Sequence, residues 1–293
     1  MGQETKLGRL MEARQAMTKS SPALTRMTAL FDEGTFAELD IFAKADGNEC
    51  GVITGWGYIN GNPAYAFAQD VSADGGAVGR IHAAKIAKVY DLAMKTGAPV
   101  VGIYDSKGAK LREGGDALDA YGLMMERASS LSGVVPQISL VLGVCAGSAA
   151  MTAANADFVV MSKDAELFIT PPFTAKAMGE KVEGAGSAHN AMKAGVASVV
   201  TDTEEEAIGV ARKLVSILPI NNLSNTPMCE FQEIEGAEAL RTLGESSDSI
   251  DPMAAIEAIA DAGSLIELGK EFGTHARVAL GTLGGLVCGF VGA

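Results

Sequence analysis

The chain alternates between two hydrophobic periods, and that alternation predicts its class. Residues 3–20 carry charge on most faces and predict a surface helix, and Ala23–Asp32 predicts a second helix ending at Gly34. The stretch "GVITGWGYINGNPAYAFAQD" then gives two apolar runs around Asn60-Gly61-Asn62. An Asn-Gly pair between strands marks a hairpin, because both central residues need positive φ. In "ADGGAVGRIHAAKIAKVYDLAMKTG" a Gly-rich entry leads into an amphipathic helix with Ile86, Val89, Tyr90 and Ala93 on one stripe. Next come a buried strand ("PVVGIYDS"), a polar Gly-rich loop ("KGAKLREGG"), a helix over Ala117–Leu131 and another strand ("QISLVLGVCAG"). Near-continuous apolar strands in βαβαβ order predict a parallel sheet with right-handed crossovers.

Downstream, "DFVVMS" and "AELFIT" predict short strands. Pro171-Pro172 breaks the chain, and Met178–Met192 is a Gly- and Ala-rich segment, irregular or helical. "GVASVVTD" predicts a late strand, and "TEEEAIGVARKLVSIL" a helix whose first-turn carboxylates suit the N-terminal dipole. From "PINNLSNTP" to "GESSDSIDP" the chain reads as a linker. Beyond it the opening pattern returns. "DEGTFAELDIF" followed by "GWGYINGNPAYAF" is matched by "DAGSLIELGKEF" followed by "GTLGGLVCGF", with Asp32 and Glu38-Leu39 answered by Asp261 and Glu267-Leu268. These repeats divide the chain into a domain over 1–240 and, over 241–293, a linker with the start of a second, similar domain. A lone apolar hairpin is not stable in water, so the second copy is expected to be completed by further chain or by a separate polypeptide.

Composition narrows the function. The 293 residues are 48% hydrophobic and 5% aromatic, with 35 glycines, which suits closely packed α/β layers. A net charge of −13 without a basic cluster argues against nucleic acid as a partner. Four dispersed cysteines (Cys50, Cys145, Cys229, Cys288) without CxxC spacing predict structural thiols in a reduced compartment and no metal site. No signal-peptide pattern opens the chain and no run reaches the ~20 apolar residues of a membrane span, so a cytoplasmic, soluble protein is expected.

Two turns carry candidate chemistry. Where the apolar strand meets a helix of small residues, Ala146-Gly147-Ser148 leaves the first helical N–H groups without partners, beside a favourable dipole for negative charge. Ordinary close helix–sheet packing would use the same residues. The loop Asp105–Gly122 follows the preceding parallel strand and so lies at the same carboxyl edge, where open α/β sheets bind ligands. Its Lys107, Lys110 and Arg112 read either as a salt-bridged solvated loop or as cations for a phosphate or carboxylate, with a second N–H donor from Lys107-Gly108-Ala109. His82, His189 and His275 have no triad spacing and read as packing or surface residues, and Cys145 as a buried hydrophobe.

The pair "YDSKGAKLREG" and "LVLGVCAGSAAMTAANADFVVM", with "LFDEGTFAELD" and the Asn-Gly hairpin upstream, resembles the carboxyltransferase component of biotin-dependent acyl-CoA carboxylases and decarboxylases, from about Leu30 onward. The resemblance implies an α/β, crotonase-type β-β-α spiral domain, here with the first hairpin of a second such domain. It implies acyl-CoA as substrate and biotin, as carboxybiotin on a carrier protein, as cofactor. The implied partners are that biotin carboxyl carrier protein, biotin carboxylase or decarboxylase subunits, and further copies of the chain in a dimer or larger oligomer. Backbone N–H groups of Gly147 and Ser148 would hold the thioester enolate, supported by those of Gly108 and Ala109, while Ala146, Lys107 and Lys110 would line the ligand. Ser148 stands where the family has a second Gly, Lys107 where it has the first Gly of "DSGGAR", and Lys110 where it has Arg, losing the bidentate fork. Two other readings compete. One is a biotin-independent crotonase-type hydratase or hydrolase with Glu113 as base; the other is a non-catalytic scaffold half.

Overall fold

The computed structural model describes residues 5–17, 20–45, 47–231, 241, 244–245 and 251–293, and the domain boundary expected at 240/241 falls outside the described residues. Helix α1 (Lys6–Met17) precedes α2 (Pro22–Leu30), which starts where Ser21 Oγ accepts from Leu24 N at 3.2 Å and Pro22 occupies the first turn. It ends at Leu30, short of the expected Asp32–Gly34. Phe31 is already extended, because Asp32 is needed elsewhere.

That need is the hairpin of β4 (Val52–Ile59) and β5 (Asn62–Gln69), which follows the short strands β1 (Ala37–Leu39), β2 (Lys44–Ala45) and β3 (Asn48–Glu49). The turn is the two residues Asn60-Gly61, with φ 48° and 79°. Both turn N–H groups donate to the Asp32 carboxylate at 2.9 Å, and Arg212 donates to the same carboxylate and to Asn60 Oδ1, each at 2.7 Å.

The chain continues through α3 (Arg80–Thr96), β6 (Val100–Ser106), α4 (Gly115–Leu131), β7 (Gln137–Ala146), α5 (Ser148–Ala154), β8 (Phe158–Ser162), β9 (Glu166–Phe168), α6 (Pro172–Ala177), α7 (Ala188–Lys193), β10 (Val199–Thr201) and α8 (Glu204–Ile217). Pro171 and Pro172 thus start the short α6 instead of merely interrupting the chain, since proline is tolerated in a first turn. The main sheet runs β1-β4-β5-β6-β7-β8-β10, with β9 alongside the end of β7. From β5 onward every pairing is parallel, as the unbroken apolar strands predict.

One face of the sheet is covered by α3 and α4, where Phe67 meets Tyr90 and Tyr104 edge-on at 5.9 and 5.4 Å. The other face is covered by α2 and α8, whose Met27, Leu30, Ala211 and Leu214 are fully buried against Ala66, Ile103 and Leu140. Helix α8 begins under Thr203, whose Oγ1 accepts from Glu206 N at 3.1 Å, with three glutamates in the first turn.

After α9 (Pro252–Glu257), a second sheet of β11 (Ile266–Leu268), β12 (Arg277–Leu283) and β13 (Leu286–Gly292) repeats the opening in detail. Gly284 N and Gly285 N donate to the two oxygens of Asp261 at 2.8 Å, as Asn60 and Gly61 do to Asp32. Asp261 N donates to Thr282 O as Asp32 N does to Tyr58 O, and Ser264 Oγ accepts from Thr282 N as Thr35 Oγ1 does from Tyr58 N. Ile266 joins the core beneath α8, and Lys213 Nζ donates to Gly263 O and Leu265 O.

Although burial works the other way, the N–H groups of Gly61 and Asn60 and the Arg212 guanidinium hold the Asp32 carboxyl below the usual carboxylate range. Its stabilisation is therefore complete above pH ~4 and is lost as pH falls through the depressed value. Asp32→Ala is expected to cost about 2 kcal/mol in urea unfolding at pH 7 and to flatten the acid limb of the stability–pH curve.

Candidate active site

Strand β6 is buried throughout, and β7 along most of its length, so their carboxyl ends have little freedom. Their register is regular from Val100↔Gln137 to Tyr104↔Val141 and then jumps to Ser106↔Cys145. Asp105 on β6 therefore faces Leu142, Gly143 and Val144 on β7, a bulge that bends the end of the strand. Beyond the bulge β7 exchanges partners: its first half pairs with β8, and Val144–Ala146 pair with Glu166–Phe168 of β9.

The bent end leads into Gly147 at φ 68°, ψ −136°, a conformation open essentially to glycine alone, and then directly into α5. The N–H of Gly147 is not free. It donates to Phe168 O at 2.9 Å, extending the β7–β9 pairing by one residue. The N–H of Ala150 already turns back to Gly147 O at 3.0 Å. Between them, the N–H groups of Ser148 and Ala149 have no protein acceptor among the described residues. Ser148 is half-buried and Ala149 is fully buried directly behind it. A buried N–H without a partner is costly and rare, and with the half-buried Ser148 N–H beside it this turn is a candidate site.

The second loop is divided in the same way. Gly108 N donates to Ser106 Oγ at 3.1 Å and Gly108 O accepts from Val78 N at 2.9 Å; Lys110 N donates to Val78 O at 2.8 Å. By the alternation of an extended backbone, the Ala109 N–H faces away from Val78, and no acceptor for it exists among the described residues. The two loops meet, since a Cβ on Gly108 would stand 3.8 Å from Ala146 O.

Of the four backbone donors expected from sequence, Ser148 and Ala109 have unengaged N–H groups. Those of Gly147 and Gly108 are spent on holding the loops in shape, and Ala149 was missed. The missed signal is general: a helix leaves its first N–H groups unpaired, and the residue before it belongs to the strand.

The two lysines also separate. Lys107 is exposed, its N–H donates to Gly75 O at 3.0 Å, and its side chain lies over Gly75. Lys110 is buried, with Nζ 3.6 Å from Glu113 Oε1. Glu113 in turn accepts from Arg80 N at 2.7 Å and caps α3. Burial pushes the Cys145 thiol well above its ordinary pKa. Among the described residues no three His, Cys, Asp or Glu side chains are grouped to hold a metal ion, and no helix is long and apolar enough to cross a membrane.

Beneath the second loop, His82 is wedged between backbone N–H groups. Gly51 N lies 3.2 Å from its Nε2 and Gly79 N lies 3.3 Å from its Nδ1, so one nitrogen accepts at a time and a doubly protonated ring would face two donors.

Residues 18–293 match the family model described as the carboxyl transferase domain, and the chain belongs to that family. The methylmalonyl-CoA decarboxylase subunit alpha of Veillonella parvula is 38% identical over 288 residues, 90% of this chain and 56% of its own length. The propionyl-CoA carboxylase beta chain of Roseobacter denitrificans is 37% identical over 290 residues, 92% of this chain and 56% of its own. The chain thus spans a little over half the length of these curated relatives. The solved transcarboxylase 12S, a hexamer with methylmalonyl-coenzyme A and methylmalonic acid bound, superposes with a TM-score of 0.89 at 31% identity, covering 99% of this chain and 63% of that one. The fold is accordingly the crotonase-like α/β spiral.

Burial, followed by the charge of Lys110, lowers the His82 pKa to about 4. The unfolded ring binds its proton near pH 6.5, so stability is full above that value and falls as pH drops toward 4. Urea unfolding is expected to show a loss of about 2 kcal/mol between pH 7 and pH 5, a loss that His82→Gln removes.

Proposed function

We propose that this chain is the acyl-CoA-binding half of a biotin-dependent carboxyltransferase, moving a carboxyl group to or from the α-carbon of a short acyl-CoA. The observation that carries the reading is the pair of unengaged N–H groups at Ser148 and Ala149, at the end of a buried parallel strand and beside Ala109. When the α-carbon loses its proton or carboxyl group, the thioester oxygen takes up negative charge, which it gives up again as the new substituent is gained, and fixed donors stabilise that charge more than the ground state. Each well-placed donor contributes ~2.7–4 kcal/mol to such a step. Gly147 contributes by its conformation and by the absence of a side chain, with open space where a Cβ would stand, so the thioester can approach the backbone. Lys107, exposed at the rim, is the cation available to the anionic part of CoA.

Carboxybiotin on a partner carrier protein would supply the carboxyl group, and biotin there would take it up in the decarboxylating direction. The described residues of the second sheet form β11 and a hairpin, the opening of a second copy of the fold. The partners we propose are the carrier protein, carboxylase or decarboxylase subunits, and further copies in a dimer or larger oligomer, with the biotin side supplied by further chain or by a separate polypeptide. The hydratase reading needs a free carboxylate base, and Glu113 is occupied as the cap of α3.

Calorimetric titration with CoA, acetyl-, propionyl- and glutaryl-CoA tests this reading on the wild type and on Ser148→Pro. Proline fits the first position of a helix, so the variant removes one N–H and leaves α5 in place. Micromolar binding of one acyl-CoA, weakened roughly tenfold in Ser148→Pro, is expected. Equal affinity in both proteins would remove the N–H from the site, and no binding by the wild type at millimolar ligand would favour the scaffold reading.

A further inference from the structure

At the bulge where β7 leaves its register with β6, a buried ion pair lies against both strands. Arg26 on α2 and Asp105 at the end of β6 are 9% and 7% exposed at their side chains, and Arg26 Nη1 lies 2.7 Å from Asp105 Oδ2. Arg26 Nη2 reaches Leu142 O at 3.4 Å, a carbonyl of the bulge itself. Gly143, the next bulge residue, has no side chain because a Cβ there would overlap the Asp105 carboxylate. The other side of the guanidinium is held by Glu204 at the start of α8, with Nε and Nη2 at 2.8 and 2.7 Å. The charge pair thus touches β6 one residue before Ser106 and β7 five residues before Gly147.

We propose that Arg26 and Asp105 are positioning residues for the backbone donors. Their ion pair props the β7 bulge, and the bulge sets where Ala109 on one loop and Ser148-Ala149 on the other stand relative to each other. Neither side chain is placed on the substrate. Regular pairing of β6 with β7 past Tyr104 would carry Ala146 and Gly147 away from β9. Gly147 N would then lose Phe168 O, and the free donors would turn with it. The bulge must be filled by something that bonds its carbonyl and neutralises the buried carboxylate, and the two-pronged guanidinium does both. Glu204 anchors the arginine from outside without touching the bulge. The importance of the prop for acyl-CoA rests on the function proposed above; the prop itself does not.

The experiment compares Asp105→Asn, Arg26→Lys and Glu204→Gln in the full chain by amide NMR shifts and hydrogen exchange at residues 106–110 and 146–150, by thermal unfolding, and by propionyl-CoA titration. Arg26→Lys keeps the charge and loses the second prong, which guards against the case in which Asp105→Asn does not fold. Expected are displaced resonances and at least tenfold faster exchange of the Gly147 amide in Arg26→Lys and Asp105→Asn. Propionyl-CoA affinity should fall on the order of tenfold in both. Glu204→Gln should lower the unfolding temperature but leave the 146–150 amides and the affinity within twofold of wild type. Unmoved 146–150 amides in folded Arg26→Lys, or equal displacement in Glu204→Gln, would overturn the proposal. A wild type that binds no acyl-CoA would sink the functional reading alone, because the amide measurements still decide the strut.

Discussion

The carboxyl edge of this protein depends on one strand being shared among three others. β7 is paired with β6 on one side, and on the other with β8 over its first half and β9 over its last three residues. A regular strand cannot satisfy both halves of such an arrangement, because β8 ends at Ser162 and β9 begins only after a turn. The bulge at Leu142–Val144 resolves the conflict by bending β7 toward β9. Its cost is a buried carbonyl and a crowded interior beside Asp105, and the Arg26 guanidinium offsets both. The conformation of Gly147 follows, since a strand that must continue one residue further into β9 and then enter a helix without a linker passes through a φ near 68°.

Lys85, Lys110 and His82 are further buried polar groups near this edge. Lys85 is 5% exposed and donates to Val52 O at 2.7 Å, with burial holding its pKa below the usual lysine range. Lys110 sits against Glu113, and His82 stays neutral among backbone donors. Lys85 and His82 tie α3 to the start of the hairpin β4–β5, and Lys110 with Glu113 braces the second loop. Taken with Arg26, they brace the backbone around the proposed donors. Preorganised donors stabilise a developing charge without reorganising, and only a framework that fixes the peptide planes provides that.

The repeated opening shows the same economy. One aspartate before the first strand bonds both N–H groups of a two-residue turn and so locks the hairpin to the helix that precedes it. Asp32 and Asp261 do this with the same backbone and hydroxyl bonds, Asp32 adding Arg212, although the two segments share little beyond Gly, Glu-Leu and the turn glycines. The motif survives because it is a set of hydrogen bonds that small polar residues supply interchangeably, as Thr35 and Ser264 do.

Much of the architecture was legible in the residues, because its causes are local. Asn60-Gly61 announces a type I′ turn, the unbroken apolar runs announce buried parallel strands, and Gly147 announces a strand-to-helix turn. The family is legible too, since its two loops are continuous stretches of chain. The end of α2 at Leu30 was not legible, since Asp32 is withdrawn from the helix by a turn 28 residues away. Nor was the division of the N–H groups, because Gly147 is engaged by Phe168 and Gly108 by the hydroxyl of Ser106. Lys110 reads in sequence either as part of a salt-bridged loop or as a ligand cation, and in space it is buried beside Glu113. The sequence by itself determined which segments are strands, helices and turns, through periodicity and backbone preference. Only the tertiary structure decided which polar groups are left over for a substrate, because a donor is free or spent according to what packing brings within about 3 Å of it.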